Sequence, residues 1–284
     1  METKAVLVIL NYNDSETTLT LCKKIKDYQV FEKIILVDNC SSDDSYDRLK
    51  EFEVANDRII LIQTQENGGY AKGNNFGIRF AIEMCNPEVV FVANPDVFFE
   101  EMVAVRMLEA LEKNQDAGVI APIVNQGYNV WNQPGYWGMI EELFLVWFNI
   151  DKLLIKRKLL KNTSIEEVGV VEGSFFAMPA AAWSKVGGFD ERTFLYCEEI
   201  ILGKRMKTNG YRTLVLTGER YDHLHSQSIR KQYQSKAKAF VNFYDSFYLY
   251  LKEYLGANKA QIWFYRVCYQ LAYLERKVYD LIKR

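Results

Sequence analysis

The stretch from Val89 to Phe99, VVFVANPDVFF, constrains the fold of this 284-residue chain more than any other. Val89, Val90, Phe91, Val92 and Ala93 form an unbroken apolar run. Such a run suits a strand buried on both faces of a parallel sheet. Polarity then arrives at once with Asn94, Pro95 and Asp96. Pro95 has no amide hydrogen for the ladder, so the strand is expected to stop there. In open α/β sheets, ligands sit beyond the carboxyl ends of the strands. Asp96 then stands at the lip of a crevice, where its oxygens suit a hard divalent cation. A strand followed by a turn with a solvated aspartate would read the same way, so the rest of the chain has to decide.

Ala5–Leu10 (AVLVIL), Lys33–Val37 (KIILV) and Arg58–Ile62 read as earlier strands of the same kind. Helical spacing predicts helices from Ser15 to about Tyr28, from a cap at Ser42 or Asp43 to about Phe52, from Ala71 to Met84, and from Glu100 to Asn114. Gly118–Ala121 is a candidate fifth strand. Strands separated by helices imply right-handed crossovers and a parallel, doubly wound sheet. Further on, Glu167–Met178 returns to strand character, and Ala180–Val186 and Glu198–Asn209 read as helices. Gly210 closes the second of these helices, and Tyr211–Leu216 is a strand. In the tail, Phe240, Val241, Phe243, Tyr244, Phe247, Tyr248 and Leu251 share one helical face, and another helix is expected over Gln261–Ile282.

A net charge of −2 supplies no global basic field, so nucleic acid is not an expected partner. The five cysteines are scattered and lack metal-type spacing, which favours free thiols in a reducing compartment. Ala5–Leu10 is too short for the core of a secretory leader, and no uncharged apolar stretch approaches the roughly 20 residues of a membrane span.

Three strands end in polar residues: Asn11-Tyr12-Asn13, Asp38-Asn39 and Asn94-Pro95-Asp96. A parallel sheet places all three on one edge. There Tyr12 can stack on a base, and Asp38 can accept hydrogen bonds from a base or ribose. The segment from Asn67 to Asn75, NGGYAKGNN, adds small residues, a cation and amides at a helix start, which suits a phosphate-bearing ligand. It is neither a Walker A loop nor a GxGxxG fingerprint.

With ILNYN, LVDNCSSDDS, NGGYAKGNNFGI, VANPDVFF, VEGSFFAMPAAAWSKVGGFDERTFLYCEEIILGKR and HLHSQS in this order, the chain resembles the family 2 glycosyltransferases. It is most similar to their rhamnosyltransferase-like branch, which makes bacterial surface polysaccharides. The resemblance covers roughly residues 5–230. It implies the α/β GT-A fold, a Rossmann-like, mostly parallel central sheet flanked by helices. Residues 1–230 would form the nucleotide-sugar-binding and catalytic domain, and 231–284 an extension of C-terminal amphipathic helices.

The resemblance also implies roles. Asn11, Tyr12 and Asp38 fall where the nucleotide binds, and Lys72, Asn75 and Asn94 near the diphosphate and sugar. Asp96 matches the last acid of the metal motif, here NPD, and would hold Mg²⁺ or Mn²⁺. His223 matches a downstream histidine that can complete the site, with His225 as a competitor. Glu198-Glu199 matches a Glu-Asp pair whose second acid is the general base. The chemistry needs these types, because a carboxylate takes the acceptor proton while a cation neutralises the departing diphosphate. Two residues depart from the pattern: Glu199 replaces the usual aspartate, and Ile201 stands where many relatives carry another acid. The plain alternative for the acidic pair is a solvated first turn. For the histidines it is a hydrogen-bonded surface loop, and for Tyr12 and Tyr70 packing against the sheet edge.

The implied function is an inverting, metal-dependent transfer of sugar from a nucleotide-sugar donor, dTDP-rhamnose or a UDP-hexose, to a glycan or lipid-linked acceptor. The pathway would be capsular, O-antigen or cell-wall polysaccharide synthesis. A non-catalytic nucleotide-sugar-binding assembly partner is the alternative. A nucleotidyltransferase is disfavoured by the lack of a Gly-rich, Arg/Lys-bearing loop after the first strand. The aromatic and basic stretch Leu143–Lys161 and the tail helices admit three readings: core cover, a peripheral membrane contact, or a homodimer interface. The expected location is cytoplasmic, with the inner face of the cell membrane left open.

Overall fold

A computed structural model of the protein describes residues 3–126, 129–145, 164–224 and 240–282. The first half alternates strand and helix as expected: β1 (Ala5–Asn11), α1 (Ser15–Ile25), β2 (Lys33–Asp38), α2 (Ser45–Val54), β3 (Ile59–Gln63), α3 (Gly69–Cys85) and β4 (Val89–Ala93). These strands lie parallel in the order β3-β2-β1-β4. The residues preceding α1 and α2 are Asp14 and Asp44, and neither makes a side-chain cap; of Ser42 and Asp43, the two caps expected for α2, Asp43 Oδ1 accepts from the Ser45 amide at 3.0 Å.

The second half departs from simple alternation. After β5 (Val97–Phe98), α4 (Glu101–Lys113) and β6 (Ala117–Val124) come β7 (Val130–Trp131), α5 (Tyr136–Glu142), β8 (Ile165–Val168), β9 (Val170–Val171) and β10 (Phe175–Pro179). The fifth strand expected at Gly118–Ala121 is present as β6, but it does not lie beside β4. β10 enters between them, antiparallel to both. The chain continues through α6 (Ala180–Val186), α7 (Glu198–Thr208) and β11 (Arg212–His223), which runs parallel to β6. The result is a nine-stranded sheet, β3-β2-β1-β4-β10-β6-β11-β5, with β8 also on β11. The fold is therefore α/β and mostly parallel, with antiparallel insertions on one side.

Alternation along each strand builds a core on each face of the sheet. Leu7, Ile9, Leu36 and Phe91 meet α1, α2 and α4, while Val6, Val8, Val37 and Val92 meet α3, α6 and α7. Helix α3 lies so close to the sheet that a Cβ on Gly77 would sit 2.5 Å from Val37 Cγ2 and 2.6 Å from Val8 Cγ1. A third cluster joins α5 and α7 to the tail, which comprises α8 (Phe243–Leu249), a π-helical turn (Tyr250–Tyr254) and α9 (Lys259–Ile282). Ile201 is fully buried in that third cluster, so the position where relatives carry an acid serves packing here. All five cysteines are free thiols. Among the described residues, no helix is long and apolar enough to cross a membrane.

Candidate active site

Parallel pairing brings the polar strand ends to one edge. Asn11 lies opposite Asp38, and Asp38 opposite Gln63. Both Asn11 and Asp38 are fully buried. Asp38 Oδ1 accepts from Asn11 Nδ2 at 3.0 Å and Ser41 Oγ at 2.5 Å, and Oδ2 from the Ser41 amide at 3.0 Å and Gln63 Nε2 at 2.9 Å. Asp38 thus ties the ends of β1, β2 and β3 together, and its acceptors are engaged by the chain itself. Tyr12 is half-buried just beyond β1.

Two further candidates also have partners within the chain. Lys72 Nζ pairs with Glu66 Oε1 at 2.5 Å on the surface. Asn75, buried in α3, donates to Phe189 O at 2.9 Å and to Glu191 Oε1 at 3.0 Å, and accepts from the Phe189 amide at 3.0 Å. Asn75 therefore clamps the GGFDE turn onto α3.

The remaining candidates converge on Glu172-Gly173-Ser174, the link between β9 and β10. Ser174 O accepts from the Asn94 amide at 2.8 Å, which fixes the NPD turn. Asp96 and His223 are nearly buried, and His223 Nε2 lies 3.1 Å from Asp96 Oδ1. Glu172 Oε1 lies 3.9 Å from His223 Nδ1. Burial opposes a charge on His223, but the hydrogen bond and charge of Asp96, with Glu172 behind them, outweigh it and raise its pKa. On the other side, the Gly173 amide donates to Glu199 Oε1 at 3.0 Å, and Tyr70 OH donates to Gly173 O at 2.5 Å. His225 lies outside the described residues.

The two glutamates open α7 but differ in setting. Glu198 is buried, and its Oε1 has no hydrogen-bond partner among the described residues. Burial, then the neighbouring charge of Glu199, pushes its pKa well up. Glu199 is half-buried beside Gly173. Its pKa is also raised by burial, against the pull of its own amide and that of Gly173. A solvated first turn would show neither shift.

Asp96 and His223 offer an oxygen and an imidazole nitrogen at one point. No group of three His, Cys, Asp or Glu suited to a metal occurs among the described residues. On release of their mutual hydrogen bond, the pair would supply one oxygen and one nitrogen ligand to a divalent cation. Sequence reasoning missed Glu172 and Gly173 as parts of this site. Their signal was the polar break Glu-Gly-Ser inside a segment read as continuous strand.

The model of the family Glycosyl transferase family 2 matches residues 6–185. The low-salt glycan biosynthesis hexosyltransferase Agl10 of Haloferax volcanii is 26% identical over 244 residues, covering 85% of this chain and 73% of that protein. An N-acetylglucosaminyl-diphospho-decaprenol L-rhamnosyltransferase of Mycobacterium tuberculosis is 28% identical over 167 residues, or 54% of each, so the match spans about half of that relative. The mannosyltransferase PcManGT of Pyrobaculum calidifontis, solved with GDP-Man and Mn²⁺, shares the fold with a TM-score of 0.61 at 12% identity, over 96% of this chain and 70% of that one. With the family's sequence pattern running through the strands and turns that build this edge, the chain belongs to glycosyl transferase family 2 and is a glycosyltransferase of the GT-A fold.

Proposed function

We propose that this glycosyltransferase moves a hexosyl or rhamnosyl group, with inversion, from a nucleotide-sugar donor to a hydroxyl of a glycan or lipid-linked saccharide in surface-polysaccharide synthesis. The reading rests on one observation above all. The three residues Glu172-Gly173-Ser174 hold the Asp96–His223 pair on one side and Glu199 on the other. Inverting displacement needs that arrangement, with a base on the acceptor side and charge neutralisation on the leaving-group side.

In this reading Asp96 and His223 would hold Mg²⁺ or Mn²⁺, which would supply charge neutralisation for the leaving diphosphate. Glu199 accepts the acceptor's proton, and its raised pKa brings it nearer to working pH. The charge of Glu199 in turn helps to keep the buried Glu198, one residue before it, protonated. Tyr12 and the Asn11–Asp38 edge receive the nucleotide, and Lys72 and Asn94 lie toward its phosphates and sugar. Asn75 acts on the same pocket through the loop it clamps. Residues 1–230 carry this chemistry in a cytoplasmic enzyme, and 231–284 brace it. The names of two relatives, a hexosyltransferase and a rhamnosyltransferase, support a hexosyl or rhamnosyl donor, with dTDP-rhamnose and UDP-hexoses as the candidates to assay.

The test is a panel of nucleotide sugars assayed for binding, slow hydrolysis and transfer, with Mg²⁺, Mn²⁺ or chelator. Metal-dependent release of nucleoside diphosphate from one donor is expected. Release of pyrophosphate, or binding with no turnover on any donor and acceptor, overturns the reading.

A further inference from the structure

Helix α9 is apolar on two opposite faces. One face, with Tyr265, Tyr269 and Ala272, is buried in the core that joins the tail to α5 and α7. The other carries Phe264, Val267, Leu271, Leu274, Val278 and Leu281, between 38% and 69% exposed. Their spacing alternates three and four residues without a break. That is the a and d pattern of a heptad repeat, the narrow seam by which one helix packs on another. Trp263 and Trp137 widen its N-terminal end, both about two-thirds exposed, and the Trp137 ring meets Phe264 edge-on at 5.9 Å.

The size of the strip says what it fits. Side chains this exposed present on the order of 600–800 Å² of apolar surface, given roughly 150–250 Å² for each large aromatic and somewhat less for each aliphatic. A monomer's largest apolar patch is roughly 300–600 Å². One side of a standard protein interface takes about 800 Å². The period favours a helix as occupant. A bilayer surface accepts any sufficiently broad apolar sector with basic groups about it and imposes no 3.5-residue repeat. Here Arg266, Gln270 and Lys277 are exposed along one margin of the strip, while the opposite face of the helix is the protein's own core.

We propose that this strip is a homodimer seam, with α9 packed on α9 of a second copy about a two-fold axis. A two-fold contact uses the same patch on both subunits, and a continuous seam on one helix is self-complementary in that sense. The inference is independent of the donor, metal and base assignments.

Sedimentation velocity on the full chain, across a wide concentration range, tests it. A species of about twice 33.1 kDa is expected for the wild type. Leu271→Glu with Leu274→Glu should sediment as a monomer with an unchanged circular dichroism spectrum, because both side chains point away from the core. The milder pair Leu271→Ala with Leu274→Ala keeps helix propensity and should weaken the dimer by at least about tenfold. A wild type that stays monomeric overturns the proposal, as does a dimer that survives both pairs of substitutions. A monomer that pellets with lipid vesicles would assign the strip to a membrane surface instead.

Discussion

Tyr254 donates its hydroxyl to Asp190 Oδ2 at 2.6 Å, joining the C-terminal helices to the loop that leads into Glu198 and Glu199. The tail grips that loop at two further points. Ser246 Oγ donates to Leu195 O at 3.0 Å, and Phe243 stacks on Tyr196 with ring centroids 3.8 Å apart. Tyr196 and Cys197 then take φ of 74° and 69°, a left-handed pair of non-glycine residues immediately before the acids. Such backbone persists only where its surroundings hold it. Tyr254→Phe should therefore cost about 1–2 kcal/mol of stability, read by urea unfolding. No change would mean that Arg192 and Arg205 hold Asp190 unaided.

Asp190 also gives a pH signature. Burial opposes its charge, but hydrogen bonds from Arg192 and Tyr254 outweigh burial and hold its pKa well below the usual carboxylate range. A depressed folded pKa contributes stability that is present above the unfolded value, about 3.9, and lost as pH falls through the folded one. The difference in Tm between wild type and Asp190→Asn should stay flat from neutral pH to about pH 4 and shrink only below that. A difference already shrinking near pH 6 would contradict the assignment.

A side chain at Gly173 would have to push its neighbours aside. A Cβ there would lie 2.7 Å from Glu199 Oε1 and 2.7 Å from Tyr70 OH. Gly173→Ala should displace Glu199 and lower kcat, with little effect on donor affinity. Wild-type kcat in a correctly folded Gly173→Ala variant would remove this contact from the mechanism.

The acidic pair separates into function and cost. Glu199→Gln should lower turnover by about 10²-fold or more while the donor still binds. Glu198 is buried with a raised pKa, so the folded state holds its proton more tightly than the unfolded state does. Stability from this residue then falls as pH climbs from the ordinary glutamate value, about 4.3, toward the folded one. Glu198→Gln should gain Tm over wild type at about pH 8 and gain less at about pH 5. If Glu198→Gln abolishes turnover and Glu199→Gln does not, the roles are exchanged.

Asp96→Ala should abolish the metal dependence of nucleotide binding, measured by calorimetry with and without Mn²⁺, and leave the circular dichroism spectrum intact. His223→Ala should do the same to a lesser degree, because imidazole is the softer of the two donors for a hard cation. Equal nucleotide affinity with and without Mn²⁺ in the wild type would remove both residues from a metal site.

The strands of the first half were legible because burial on both faces demands unbroken apolar runs, and AVLVIL, KIILV and VVFVA each became one. The polar ends were legible for the same reason, since Asn11, Asp38 and Asn94 mark where each run stops. Roles were less legible. Asp38, Lys72 and Asn75 read as free ligand groups, yet each has partners within the chain, and two of those partners, Gln63 and Phe189, are distant in sequence.

The sequence by itself determined the strand-helix alternation, the edge on which polar residues gather, and the family. These are written in local periodicity and in motifs of a few residues. Only the tertiary structure decided that β10 enters antiparallel beside β4, pairing Phe175 with Ala93, a residue remote from it in the chain. It also decided that Glu172-Gly173-Ser174 stands between His223 and Glu199, and that tail tyrosines reach back to Asp190. Backbone pairing and side-chain hydrogen bonds between remote segments leave no period in the chain, so no window of sequence contains them.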